Sequence, residues 1–324
     1  MRRLLAAMIL ALLIYAAFTV WSGYREIASR LSEFSWSSFA AACALALGNY
    51  LLRFFKWEYY LRRLQIRGVP KTDSLLIFLS GFVLSVTPGK VGEVFKSLLL
   101  FQTHKVPIQR TAPIVVADRL TDTIGVTLLI AVGLKGLAFR GALTWALIGA
   151  GLVLACMIVI MSRALSEASI KLVERLPGPF RRLGPKIRES WESLRVMTSP
   201  GALIIPAVLS VGAWAFEGIA LCAILRGFGS SLPMLTSVFF YSTATLAGGV
   251  IPVPGGLGVT ESALNGQLMM LGGVDQAVAT ASMILVRFAT LWFAVLIGFV
   301  ALAVLRLLHP ELRASPEGDQ GAPK

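Results

Sequence analysis

Charge is scarce in this 324-residue chain. Only 15% of its residues are Asp, Glu, Lys or Arg, against about 25% in ordinary soluble domains. That deficit argues against a soluble globular protein. Histidine is scarcer: His104 and His309 are the only two, and both fall near expected span ends. No His/Cys metal cluster can be assembled from them, and no mid-span histidine is available as a base for nucleophilic catalysis. The three cysteines, Cys43, Cys156 and Cys222, lie far apart in apolar stretches without CxxC spacing. They read as small buried hydrophobes rather than disulfides or ligands. No cofactor is expected. Acidic residues are outnumbered, 17 against 30 Lys and Arg, for a net charge of +13. In a soluble chain that excess would suggest nucleic acid. Here the cations sit in loops beside apolar blocks, which is the positive-inside pattern, so no nucleic-acid partner is expected.

What the chain has instead is apolar sequence. Hydrophobic residues make up 56%, gathered in blocks of about 20 residues, the length a helix needs to cross the hydrocarbon layer. The expected fold is an all-α polytopic membrane protein. Full spans are predicted near 4–22, 36–56, 111–134, 141–162, 203–226 and 277–305. The first, after Arg2 and Arg3, reads as an uncleaved span rather than a signal peptide. Two further apolar regions, 74–101 and 234–271, are broken at Thr87-Pro88-Gly89-Lys90 and at Pro252-Val253-Pro254-Gly255-Gly256. Pro-Gly pairs stop helices and turn the chain, so each region is predicted to enter the membrane and return to the same side. Such backbone is tolerated at depth only where protein or a water-filled cavity satisfies it. The loop 163–200, rich in Arg and Lys, is predicted to be cytoplasmic, with the first hairpin entering from the cytoplasm and the second from outside. The tail 310–324 reads as disordered. The expected location is a bacterial inner membrane with both termini cytoplasmic.

The two broken regions resemble each other. Pro88-Gly89-Lys90-Val91-Gly92-Glu93 matches Pro254-Gly255-Gly256-Leu257-Gly258-Val259-Thr260-Glu261 as P-G-x-x-G followed by a glutamate. Each is followed by a span with an arginine, Arg119 or Arg287, and the glutamate-to-arginine separation is 26 residues in both copies. Each is preceded by a span with a Trp and a Glu: Trp57 and Glu58, then Trp214 and Glu217. The pattern predicts an inverted repeat, 36–134 and 203–305, which is a transporter design. The helices restarting after each turn would aim their N-termini at mid-membrane, where unpaired N–H groups suit an anion.

Nine charges fall at predicted bilayer depth: Lys90, Lys96, Arg119 and Arg287 against Glu93, Asp118, Asp122, Glu217 and Glu261. A charge there costs about 2.5–3.5 kcal/mol even on lenient scales, so each is expected to face a partner or a cavity. Asp122 lies three residues beyond Arg119 and can pair with it, and Asp118 and Asp122 could simply lock helices together. Glu93 and Glu261 could cap hairpin backbone, and Lys90 could snorkel to the interface. Glu217 has no evident local partner, which suits a proton-linked role, contact with a cation, or a hydrogen bond to a neighbouring helix. Arginine's planar fork suits phosphate, so the cations together point to a phosphate-bearing substrate.

Ser85-Val86-Thr87-Pro88-Gly89-Lys90-Val91-Gly92-Glu93, Asp118-Arg119 and the stretch from Pro254 to Glu261 resemble the lysylphosphatidylglycerol synthase transmembrane-region family, over about residues 4–306. The resemblance implies lipid translocation. It puts weight on Pro88, Gly89, Gly92, Glu93, Arg119, Pro254, Gly255, Gly258, Glu261 and Arg287, and the repeat adds Lys90, Lys96 and Gly256. The bifunctional members carry a soluble aminoacyl-transferase part that is not present in this sequence, so synthesis of lysyl-phosphatidylglycerol is not expected of it. The hairpin scheme also resembles DedA-type membrane proteins, by architecture alone.

The expected function is therefore a flippase, not an enzyme, for a phospholipid, an aminoacyl-phospholipid or a polyprenyl-phosphate lipid. Two alternatives stand beside it: a membrane scaffold for a lipid- or envelope-modifying enzyme, and a membrane-embedded enzyme acting on lipid head groups. The expected partner is the lipid itself, with a second copy of the chain and a lipid-synthesising enzyme as further candidates.

Overall fold

The computed structural model describes residues 24–85, 93–133, 140–174, 184–251 and 253–312, together with Leu13 and Val20. All secondary structure among the described residues is helical. The predicted first span, the tip of the first hairpin and most of the tail lie outside them.

A short amphipathic helix, α1 (Tyr24–Ser32), precedes the long α2 (Trp36–Arg63). At 28 residues α2 is about 42 Å long, more than the hydrocarbon layer needs. It ends on Arg62 and Arg63, and Gln65 and Gly68 take positive φ to turn the chain. Helix α3 (Lys71–Ser80) continues into a tight turn at Gly81–Leu84, and α4 (Phe95–His104) runs back until Lys105 stops it with left-handed backbone. After one turn at Ile108–Thr111 come α5 (Pro113–Gly133) and α6 (Arg140–Met161). The basic loop holds α7 (Arg163–Glu174) and α8 (Gly184–Thr198). Helix α9 (Pro200–Gly227) starts with Pro at its first position, where the missing N–H costs nothing. Then follow α10 (Met234–Val250), α11 (Val259–Met270) and α12 (Gln276–Arg287), whose start is capped by Asp275 accepting from the Ala277 and Val278 N–H groups. A π-turn at Phe288–Trp292 joins α12 to α13 (Phe293–Leu308).

Among the described residues four stretches are long and apolar enough to cross a membrane: Trp36–Arg63, Leu143–Ile160, Pro200–Gly227 and Gln276–Leu308. Helix α5 has the length but carries Asp118, Arg119 and Asp122. The outer surface is apolar: Leu147, Leu154, Ile158 and Val208 are each at least 60% exposed. A soluble monomer rarely exposes such a continuous apolar surface. This is a multi-pass helical membrane protein.

Two apolar clusters cap the bundle and leave a polar layer between them. One gathers Phe34, Ile224, Phe240, Leu268 and Met283. The other gathers Trp57, Ile77, Leu100, Leu194 and Leu305. The start of α2 meets the end of α9, with the Ser35 N–H donating to Gly227 O at 3.1 Å and the Phe34 and Phe228 rings 4.5 Å apart. Ile27 of α1 packs on Ala277 and Ala281 at the same end. At the other end Arg110 donates to Leu64 O, Ser190 to Gln109 O at 2.8 Å, and His309 meets Asp73. The base of α3 and α4 thus lies at the end where α2 finishes, and the base of α10 and α11 at the end where α2 begins.

Candidate functional site

The polar layer is built from both halves of the chain. The two glutamate–arginine pairs, each separated by 26 residues, are both closed ion pairs: Glu93 Oε1 to Arg119 Nη2 and Glu261 Oε1 to Arg287 Nε, each at 2.6 Å. Each joins the restarting arm of a hairpin to the helix that follows it. The second pair also organises the chain break. Gly255, Gly256 and Gly258 take positive φ, backbone that favours glycine. Glu261 Oε2 accepts from the Gly258 N–H at 2.7 Å, and Arg287 donates to Gly255 O at 3.1 Å. Glu261 is therefore both a cap and an ion-pair partner. The pairs differ in exposure: the Arg119 side chain is 29% exposed and that of Arg287 8%. Pro88, Gly89, Lys90 and Gly92 lie outside the described residues. Pro254 stands in the second break.

Asp118 and Asp122 meet cations that the sequence reading did not include. Lys56 Nζ lies 2.6 Å from Asp118 and 2.7 Å from Asp122, and Arg53 Nη2 lies 2.6 Å from Asp122. The expected Arg119–Asp122 pair is present at a longer 3.4 Å. Ser210 joins α9 to this group, accepting from Lys56 at 2.8 Å and donating to Asp122 at 3.1 Å. Arg53 also stacks over Trp214, 5.4 Å from the ring centroid. With Arg53 and Lys56 counted, the mid-bundle charges among the described residues are five cations and five carboxylates. Arg53 and Lys56 are three residues apart on α2, opposite two aspartates four apart on α5. That complementary spacing was the signal available in the sequence.

Glu217 accepts from the Tyr241 hydroxyl at 2.7 Å, and that hydroxyl lies 3.3 Å from Thr290 Oγ1 in the π-turn. Tyr50 donates to Thr290 O at 2.6 Å. Asn49 donates to Ala213 O at 2.7 Å, while its Oδ1 and the Trp214 Nε1–H are buried without a protein partner.

Lys96 differs from the other cations. It is 6% exposed, and among the described residues it makes no ion pair. Its ammonium lies 5.3 Å from the ring centroids of both Trp57 and Phe78. Its stem lies so close to Gly81 that a Cβ there would come within 2.5 Å of it.

These groups surround a cavity of about 120 Å³. Arg53, Glu93, Lys96, Asp118, Glu217 and Arg287 all face it. A second, more apolar cavity of about 460 Å³ lies between α5, α6 and the second hairpin. The two share Trp214, Thr245, Gly248, Gly249, Gly255 and Gly256 as a common wall. Arg119 and Asp122 face the apolar cavity rather than the polar one. The described residues form no metal-ligand cluster.

Sequence comparison places these features among relatives. A UPF0104 membrane protein of Methanothermobacter thermautotrophicus is 22% identical over 312 residues, spanning 90% of each chain. A second UPF0104 membrane protein, from Methanocaldococcus jannaschii, is 24% identical over 227 residues, covering 68% of this chain and 92% of its own. Residues 8–298 match the family described as the lysylphosphatidylglycerol synthase TM region. That match takes in both hairpins, both glutamate–arginine pairs and the cavities between them, and the chain belongs to that family.

Proposed function

We propose that this protein moves a phosphate-bearing lipid between leaflets by alternating access. Six spans and two re-entrant hairpins would form an inverted repeat, 36–134 and 203–305, in a bacterial inner membrane with both termini cytoplasmic. The entry of the two hairpins from opposite ends of the bundle supports that symmetry. The phosphate would sit in the polar cavity, and the apolar cavity behind the shared wall would take hydrocarbon.

The observation that carries this reading is Lys96. Among the described residues Lys96 makes no direct ion pair, and the Glu93 and Asp118 charges act on it without touching it. A buried cation so placed is costly, and two aromatic faces return only part of that, about 0.5–2 kcal/mol each. An arriving phosphate would supply the direct contact. Arg119 and Arg287 already hold carboxylates, so they shape the site rather than wait for the ligand. A scaffold would have no need of a buried lysine facing a cavity, and a head-group enzyme would need a nucleophile with a base or a metal.

The test is leaflet exchange of labelled lipids in liposomes holding the purified protein. The panel is phosphatidylglycerol, phosphatidylethanolamine, lysyl-phosphatidylglycerol and undecaprenyl phosphate, compared between wild type and Lys96→Met. We expect exchange of one lipid class, reduced at least about tenfold in the variant, which corresponds to 1.4 kcal/mol or more of lost stabilisation. The variant should keep its melting temperature, because methionine preserves the stem on Gly81. Equal exchange by both proteins would overturn the assignment of Lys96. No exchange by folded wild-type protein under a proton gradient would favour the scaffold.

A further inference from the structure

The only two histidines of the chain meet on one carboxylate. Asp73 Oδ2, in the first turn of α3, lies 3.2 Å from His104 Nε2 at the end of α4 and 3.0 Å from His309 Nε2 just past α13. These elements are the two arms of the first hairpin and the end of the last long helix. The other ring nitrogen of His309, Nδ1, lies 2.8 Å from Glu311 Oε1.

A neutral imidazole has one N–H and one lone pair. Both nitrogens of His309 face carboxylate oxygens, so only the imidazolium makes both contacts as hydrogen bonds. His104 is less constrained. Its Nδ1 lies 2.7 Å from the Thr103 hydroxyl, which also reaches Leu99 O at 2.8 Å and can direct its proton to either. The remaining charge in the cluster is Lys105, beyond α4, which acts on Glu311.

We propose that Asp73, His104 and His309 form a proton-binding clasp, which when protonated ties both arms of the first hairpin to the last helix. The clasp rests on this geometry alone and stands apart from the transport reading. Burial disfavours charge on His309, but the hydrogen bonds and charges of Glu311 and Asp73 outweigh it and raise its pKa. A pKa raised by folding stabilises fully below the unfolded value, about 6.5, and the gain is lost as pH rises through the folded value. The clasp therefore loosens on the alkaline side. The first hairpin carries Glu93 and Lys96, so the pH at that face sets how firmly this cation-bearing arm is held.

Ring-nitrogen NMR of the full chain in nanodiscs, with labelled histidine, tests the clasp. Only two sets of signals are present, and His104→Gln assigns them. We expect His309 to titrate above the ordinary histidine value in wild type and to fall toward it in Asp73→Asn. His309→Gln should lower the melting temperature by several degrees near pH 6, with the deficit shrinking as pH rises. An ordinary wild-type titration of His309 would overturn the proposal, even if Asp73→Asn fails to fold. So would an unmoved value in folded Asp73→Asn, or a melting deficit that does not vary with pH.

Discussion

Replacing Arg287 by alanine would strand Glu261, which is fully buried, and would release the Gly255 carbonyl that Arg287 holds. Breaking one partner of a buried pair costs about 3–5 kcal/mol, so Arg287→Ala should lose most of the stability of the second hairpin. Glu261→Gln combined with Arg287→Met removes both charges and should recover part of that loss, which a double-mutant cycle of thermal unfolding would read. If Arg287→Ala melts like wild type, the pair does not hold the hairpin. The equal spacing of 26 residues after two similar breaks is legible in the sequence; the ion pairs are not, since local spacing offers Asp122 to Arg119 and hairpin backbone to Glu93 and Glu261. Arg53 and Lys56 are masked by the apolar average of their block, although their spacing complements that of Asp118 and Asp122. The partner of Glu217 was also hidden: Tyr241 lies 24 residues away on another helix, and no local spacing points to it.

Among the elements, each hairpin's entering arm lies against a glycine of a neighbouring helix. A Cβ at Gly298 of α13 would come within 2.7 Å of the Val83 backbone nitrogen, and one at Gly218 of α9 within 2.6 Å of the Val238 Cα. Backbone cannot turn aside as a side chain can, so Gly298→Val should push the first hairpin off α13. We expect a loss of about 1–3 kcal/mol from overpacking, seen as a lower melting temperature; an unchanged melting temperature would show that the helices are not held this close. The breaks were readable because Pro-Gly pairs end helices wherever they stand. The amphipathic α1 was not predicted: nine residues that follow an apolar run give too weak a periodic signal. The π-turn after Arg287 has no local sequence signature either, since Phe-Ala-Thr-Leu-Trp is compatible with an ordinary α-helix.

For the whole molecule, the opposed hairpin bases make a sidedness prediction. Lys71, with a side chain 73% exposed, marks the base of the first hairpin, and Met270, 85% exposed, marks the base of the second. With Cys43, Cys156 and Cys222 replaced, Lys71→Cys and Met270→Cys should react with a membrane-impermeant thiol reagent from opposite faces. Reaction of both from one face would rule out an inverted arrangement. The even balance of mid-bundle charge has an electrical consequence. Among the described residues five cations stand against five carboxylates, so these groups carry no net charge of their own when the protein changes pose. Current beyond theirs is that of the cargo and whatever travels with it, at about 2.3 kcal/mol per elementary charge per 100 mV. A lipid bearing one net negative charge would be driven or opposed by the membrane potential. A zwitterionic lipid, or an anion accompanied by a proton, would cross without sensing it, so the voltage dependence of exchange would count the charges in transit.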